Sequence, residues 1–320
     1  MKKHFYKIGF LIFAFFLFWG WRLTPGVAQE KANIVVLNSR VILQYNQALS
    51  GFKQELKDNN VPAFYREYDL SRIPEAEFGQ ILQEINKSAP DSIIALGTKA
   101  AVFAKENIPG IPIIFFMVLN PEESGIISGG RNKNITGVAL NIPIAEQFKY
   151  IKKFLPEVKK IGMLYQSEVK TLMAEEAQAA AGQYGFELQA VPVNNSAQVM
   201  PNLEMVLKES ECLWGGVDPL IFNPNTTQKI LLATLRNKCP FMAFSSAYVK
   251  GGALFALESD YNDIGRQAAQ MAIKILGGQN IESISVEFPR KTLLSVNQKT
   301  AKTIQVELSE TVFDEADIVY

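Results

Sequence analysis

The polar side chains best placed to do chemistry in this sequence stand at the ends of apolar runs. Asn38, Ser39 and Arg40 follow one such run, Gly97 and Thr98 another, and Asn120 a third. Further along, Gln166 with Ser167, Asn194 with Asn195, Asp218, and Ser245 with Ser246 repeat the arrangement. Amides, hydroxyls and a lone carboxylate in such positions hold a small polar molecule by hydrogen bonds. Asp218 follows Gly215, Gly216 and Val217, where missing side chains let a ligand approach the backbone, and is the candidate for a cationic ligand group. Arg40 would clamp a carboxylate in bidentate fashion. Tyr165, Phe222 and Phe244 would supply an aromatic wall. Each residue also has a plainer reading. Ser39, Thr98, Ser167 and Ser246 are good helix caps, Asp218-Pro219 ends a strand, Arg40 suits solvent, and the aromatics suit a core.

Bond-breaking chemistry is poorly served. The sequence holds one histidine, His4, inside an N-terminal segment with the marks of an export signal. Lys2, Lys3 and Lys7 precede a 14-residue apolar run, Ile8 to Trp21. That run is shorter than the ~20 residues a membrane-spanning helix needs and has the length of a signal-peptide core. Pro25 breaks it, and Gly26-Val27-Ala28 places small residues for cleavage after Ala28. The alternative is an uncleaved anchor, with Trp19, Trp21 and Arg22 at a membrane interface. No cysteine stands near the cleavage point, which argues against lipid attachment. Cleavage removes His4, and with it Ser-His-Asp and Cys-His catalysis and every histidine-containing metal site. No paired-acid motif stands out. The expectation is a binding protein, not an enzyme, with no cofactor and no metal.

The charge agrees. The whole chain has 32 basic and 32 acidic residues, and the segment to be removed carries four basic ones, leaving 28 against 32, or −4. Such mild acidity favours solubility and speaks against nucleic acid as a partner. Gly97-Thr98 lacks the glycines and the lysine-serine end of a phosphate loop.

The elements that must position these residues alternate. Short apolar runs at 34–37, 63–68, 91–96 and 111–116 are separated by amphipathic stretches, the pattern of βαβ units and a parallel sheet. A strand at 135–140 and a helix opened by Pro143 and stopped by Pro156 follow. The pattern then repeats, with strands at 160–165, 187–193, 212–217 and 240–244. In open α/β sheets ligands lie beyond the carboxyl ends of the strands, so two facing lobes would point these residues into one cleft. The closing section predicts an extended run at 251–257, a helix from Asp260 to about Leu276, and short strands at 286–288 and 293–296. The chain therefore crosses between lobes more than once, forming a hinge. Residues 1–28 are assigned to a signal peptide, 29–140 to a first lobe with 251–281 returning to it, 141–250 to a second lobe with 282–308 returning to it, and 309–320 to a C-terminal tail.

Cys212 and Cys239 are the two cysteines, each at the start of a strand, and the strands are consecutive in one lobe. If the strands are neighbours, the two Cα atoms approach the ~5.5 Å of a disulfide, which an oxidising compartment would permit. Two buried free thiols are the alternative.

Several segments resemble a known family. Gly97-Thr98-Lys99-Ala100-Ala101, Asn134-Ile135-Thr136-Gly137-Val138, Leu155 to Gly162, Val249 to Leu254, Asp260-Tyr261 through Ala269, and Val296 to Ala301 are similar, in order and spacing, to the ABC transporter substrate-binding proteins that include tryptophan- and tyrosine-binding members. The resemblance spans nearly all of 33–305. It implies a periplasmic-binding-protein fold of type I-like architecture, two Rossmann-like α/β lobes with parallel sheets joined by a multi-crossing hinge. It also implies a monomer in the periplasm that takes a small-molecule ligand and meets the membrane only through ABC permease and ATPase subunits encoded elsewhere. The same fold can instead present its ligand to a receptor or kinase, so sensing is the competing role. Asn120 departs from the family pattern, which carries an Asp before the proline, and this removes a partner for a ligand amino group.

Overall fold

The computed structural model describes residues 31–127, 134–167 and 171–320. The segment read as a signal peptide lies outside the described residues. The first lobe runs β1 (Ala32–Asn38), α1 (Leu43–Asp58), β2 (Ala63–Asp69), α2 (Phe78–Ser88), β3 (Ser92–Leu96), α3 (Thr98–Asn107), β4 (Ile113–Val118) and β5 (Ile135–Ala139). Its five strands form a parallel sheet in the order β2-β1-β3-β4-β5. The central strands are largely apolar because helices cover both faces; every residue of β3 and β4 is buried.

The second lobe follows with α4 (Ile144–Phe154), β6 (Lys160–Gln166), α5 (Thr171–Tyr184), β7 (Glu187–Val193), α6 (Ser196–Glu209), β8 (Cys212–Trp214), α7 (Thr227–Arg236), β9 (Phe241–Ala243), α8 (Ser246–Gly251) and β10 (Phe255–Ser259). The chain then forms α9 (Tyr261–Leu276), β11 (Thr292–Val296), α10 (Gln298–Ile304), α11 (Glu310–Glu315) and β12 (Ile318–Val319). The second sheet has the order β12-β11-β10-β9-β8-β6-β7. Only the pair β10 and β11 is antiparallel. Between them the chain visits the first lobe, so β11 re-enters from the opposite end. The fold is thus two α/β lobes with largely parallel sheets, as the alternation of the sequence implies.

The crossings differ from the expected boundaries. The run at 251–281 does not return to the first lobe as one piece, because its strand, β10, is a central member of the second sheet. Only α9 goes back, packing its apolar face with α1 around Phe52, Ile264 and Ala268. Expected strand 286–288 is reduced to a bridge between Glu287 and Val138, still in the first lobe, so the last crossing falls after it. Residues 309–320 are no loose tail: β12 extends the second sheet beside β11, and Asp317 Oδ2 accepts the Leu294 N–H at 2.7 Å. Three segments therefore join the lobes side by side. Ser259 Oγ donates to the Leu140 carbonyl at 3.0 Å, and Lys291 pairs with Asp260 at 2.7 Å.

The contact between α1 and α9 is backbone on backbone. A Cβ built on Gly265 would lie 1.8 Å from the Ala48 carbonyl oxygen, and one on Gly51 would lie 2.0 Å from that of Asn262. Only glycine permits this approach.

The disulfide expectation is corrected. β8 and β9 are neighbours, but their register sets Leu213 beside Phe241 and Trp214 beside Met242, so Cys212 stands beside Pro240 rather than Cys239. Side chains alternate across a sheet. Cys212 accordingly packs with Ile161 and Trp214 on one face, and Cys239 with Phe241 on the other. Both are free and buried. Burial pushes the Cys239 thiol up to about 12 and that of Cys212 well above its ordinary value. Both thiols should resist a thiol reagent in the folded protein, and two should titrate after denaturation without reductant. Because an unfolded thiol ionises near ~8.5 while these do not, stability should fall as pH rises above that value towards the folded ones. No free thiol on denaturation would restore the disulfide.

Candidate functional site

A cleft of about 430 Å³ opens between the lobes. Gln44 of α1 and Leu119-Asn120 after β4 line it from the first lobe. Gln147, Glu176, Trp214, Gly216 and the stretch 244–247 line it from the second. The crossing segments supply Leu140 to Ile142, Leu257 to Ser259, and Tyr261. The ends of β4, β8 and β9 deliver their following residues here, as open α/β sheets do.

The chemical centre of the cleft is Glu258, near the end of β10. Its Oε2 accepts two hydrogen bonds from Ser246, one from the backbone N–H at 3.1 Å and one from the hydroxyl at 2.9 Å. Its Oε1 accepts from the Tyr261 hydroxyl at 2.7 Å. The carboxylate is therefore oriented by three donors from α8 and α9 before any ligand arrives. Burial, together with the neighbouring Glu258, pushes the Tyr261 hydroxyl well up.

Around this acid stand aromatic rings. Trp214 is held edge-on against Phe148 with centroids 5.4 Å apart, and its indole N–H donates to Gln147 Oε1 at 2.9 Å. Phe244 packs on Tyr248 and Phe222, at 4.5 and 5.3 Å. Glu176 on α5 adds a second carboxyl, pushed up by burial first and then by Glu123 and Glu122 of the first lobe. Among the described residues no group of three or more His, Cys, Asp or Glu is placed to hold a metal ion.

Of the residues picked from the sequence, the structure brings Asn120, Ser245, Ser246 and Phe244 to the cleft. Asn120 is left-handed at φ 44°, which asparagine tolerates, and its Nδ2 donates to Glu123 at 2.9 Å. The others are placed elsewhere. Ser39 Oγ accepts the Ala100 N–H at 2.9 Å and so caps α3. Asn38 and Gly97 are buried, and Arg40 and Thr98 are exposed, outside the described lining. Asn195 caps α6, and Ser167 is hydrogen-bonded to Asn194.

Asp218 is not the ligand's counter-ion in this arrangement. It is 1% exposed, and its two oxygens accept the backbone N–H groups of Gln166 and Leu220, each at 2.9 Å. It ties the end of β6 to the turn after β8, and Gln166 takes part through its backbone. Tyr165 and Phe222 pack into the two cores of the second lobe.

Glu258, Tyr261, Trp214, Gln147, Glu176 and Gln44 escaped the reading of strand ends. Glu258 left one signal: it is the single acid closing the otherwise apolar run from Ala253 to Leu257. The others lie within helices or strands and carry no local mark of function.

Comparison with known proteins follows the same lines. Residues 40–320 match the family described as ABC transporter substrate binding protein. A relative called tyrosine-binding protein, from Clostridioides difficile (strain R20291), is 26% identical over 221 residues, which span 68% of this chain and 64% of that protein's length. Two solved structures share the fold. One is the ligand-free, open structure of a substrate binding protein with adhesive properties from Clostridium difficile, at TM-score 0.76 and 21% identity over 90% of this chain and 99% of that one. The other is an ABC domain in complex with L-Trp from Streptococcus pneumonia, at TM-score 0.66 and 20% identity over 91% and 100%.

Proposed function

The chain belongs to the ABC transporter substrate-binding protein family, and on that premise we propose that it is the exported capture component of an ABC importer, closing its lobes on a small ligand in the cleft between them. The observation that supports this most directly is the cleft itself: it is lined from both lobes and from the crossing segments, so a ligand there touches every part that must move. A ligand bridging the lobes binds the closed form better, and that difference drives closure. The mature protein begins after Ala28 in the periplasm and acts as a monomer that hands its ligand to permease and ATPase subunits. Binding, not bond-breaking, is its task.

Small molecules with an aromatic ring and an amino group head the list of ligands, aromatic amino acids and their amine analogues together. A relative is named for tyrosine, a structural neighbour was solved with L-Trp, and Trp214, Phe244 and Tyr261 give the cleft an aromatic lining. Organic acids, nucleosides and short peptides come next. Ligand-stripped protein should be screened by thermal shift, with the molecule retained on native purification identified by mass spectrometry. A true ligand at about 100 times its Kd stabilises by ~2.7 kcal/mol, which raises the melting point by roughly 5–10 °C for a protein of this size. A broad library with no shift, and no retained molecule, would end the solute-binding reading.

A further inference from the structure

Among its described lining residues the cleft carries acid and no base. Glu258 stands on its crossing strand and Glu176 on its second-lobe wall, and no lysine or arginine is among the described residues that line it. A zwitterionic ligand needs donors for its carboxylate. The Ser246 backbone N–H and hydroxyl would suit, but both already donate to Glu258 Oε2. The protein's own carboxylate thus takes up both Ser246 donors, and Tyr261 donates to its other oxygen. An anionic ligand group set beside it would meet like charge and lose its hydration without return. A cationic group gains twice, from the carboxylate and from the aromatic lining that Phe244 and Tyr261 contribute.

We infer that the cleft is built for an organic cation, an aromatic or heteroaromatic amine without a carboxylate of its own, in preference to a zwitterionic amino acid; this assignment rests on the binding role proposed above.

Titration calorimetry with matched pairs tests it: tryptamine against tryptophan, tyramine against tyrosine, and tryptophan amide as an intermediate. The amines should bind about tenfold tighter or more than the parent amino acids, the range of a desolvated charge-assisted contact. Glu258→Gln should cancel that preference; its one carbonyl oxygen can still accept from Ser246 while its NH2 group turns to the Tyr261 hydroxyl oxygen as donor, and the melting point of the free variant reports its folding. Glu176→Gln, whose side chain is more exposed, provides a second charge removal at less risk to folding. An amino acid that binds as tightly as its amine, or a preference that survives both variants, would overturn the assignment while leaving the binding role intact. If neither pair binds, the charge of whatever ligand the library yields decides: a cation supports the assignment, and a neutral or anionic molecule overturns it. A library with no binder at all takes both readings down.

Discussion

Gly265→Ala is expected to be among the most damaging single-methyl changes in the first lobe. The added Cβ would sit 1.8 Å from the Ala48 carbonyl oxygen and 2.8 Å from the Phe52 nitrogen, both backbone atoms that cannot swing aside. α1 and α9 would have to move apart, opening the core around Phe52, Ile264 and Ala268. Overpacking of this kind costs about 3 kcal/mol, and at roughly 2–4 °C per kcal/mol the melting point should fall by about 6–12 °C. α9 begins at Tyr261, so the hydrogen bond to Glu258 should weaken with it, and ligand response should fall together with stability. Gly79→Ala is the matched control. It lies in α2, where an added Cβ meets nothing within 4 Å, and alanine there should be neutral or stabilise by about 0.5 kcal/mol. Calorimetric melts of the two variants that coincide with the parent would show the α1–α9 contact to be looser than described.

Asp218→Ala should destabilise by about 2–4 kcal/mol, since two buried N–H groups, of Gln166 and Leu220, lose their acceptor. Asp218→Asn keeps one acceptor oxygen and should lose roughly half as much. Because the carboxylate is turned inward, the ratio of affinities for amine and amino acid should be unchanged in either variant that folds. The two readings of Asp218 separate cleanly in one experiment. A variant that melts like the parent yet loses its ligand would make Asp218 a ligand contact after all.

That contrast between Asp218 and Glu258 shows how much of the site the sequence discloses. Both are single acids at the end of an apolar run, Asp218 after Val217 and Glu258 after Leu257. Their roles diverge in the folded chain because β8 lies inside its lobe's strand-helix repeat, while β10 leads straight into a crossing. The strand-end rule found Asn120, Ser245 and Ser246 because β4 and β9 end at the cleft. It also selected Ser39, whose oxygen instead caps α3 from the end of β1, a long-range contact that the local sequence does not show.

By itself the sequence determined the architecture at the level of pattern. Apolar runs long enough for strands, separated by amphipathic stretches, admit little besides α/β lobes, and two rounds of them make two lobes. It also gave the ground for expecting binding: polar residues at strand ends, with the one histidine in the N-terminal segment read as an export signal. Tertiary structure decided everything that depends on which strands are neighbours and which way a residue faces. A register shift of one residue sends Cys212 and Cys239 to opposite faces of the second sheet, which no spacing along the chain reveals. The return of α9 to the first lobe is set by Gly51 and Gly265, whose meaning appears only when the two helices touch. The acidic, aromatic character of the cleft comes from Glu258, Tyr261 and Trp214, residues of different elements that meet only when the chain crosses between the lobes. Local pattern is a property of neighbours in sequence; a binding site is a property of neighbours in space.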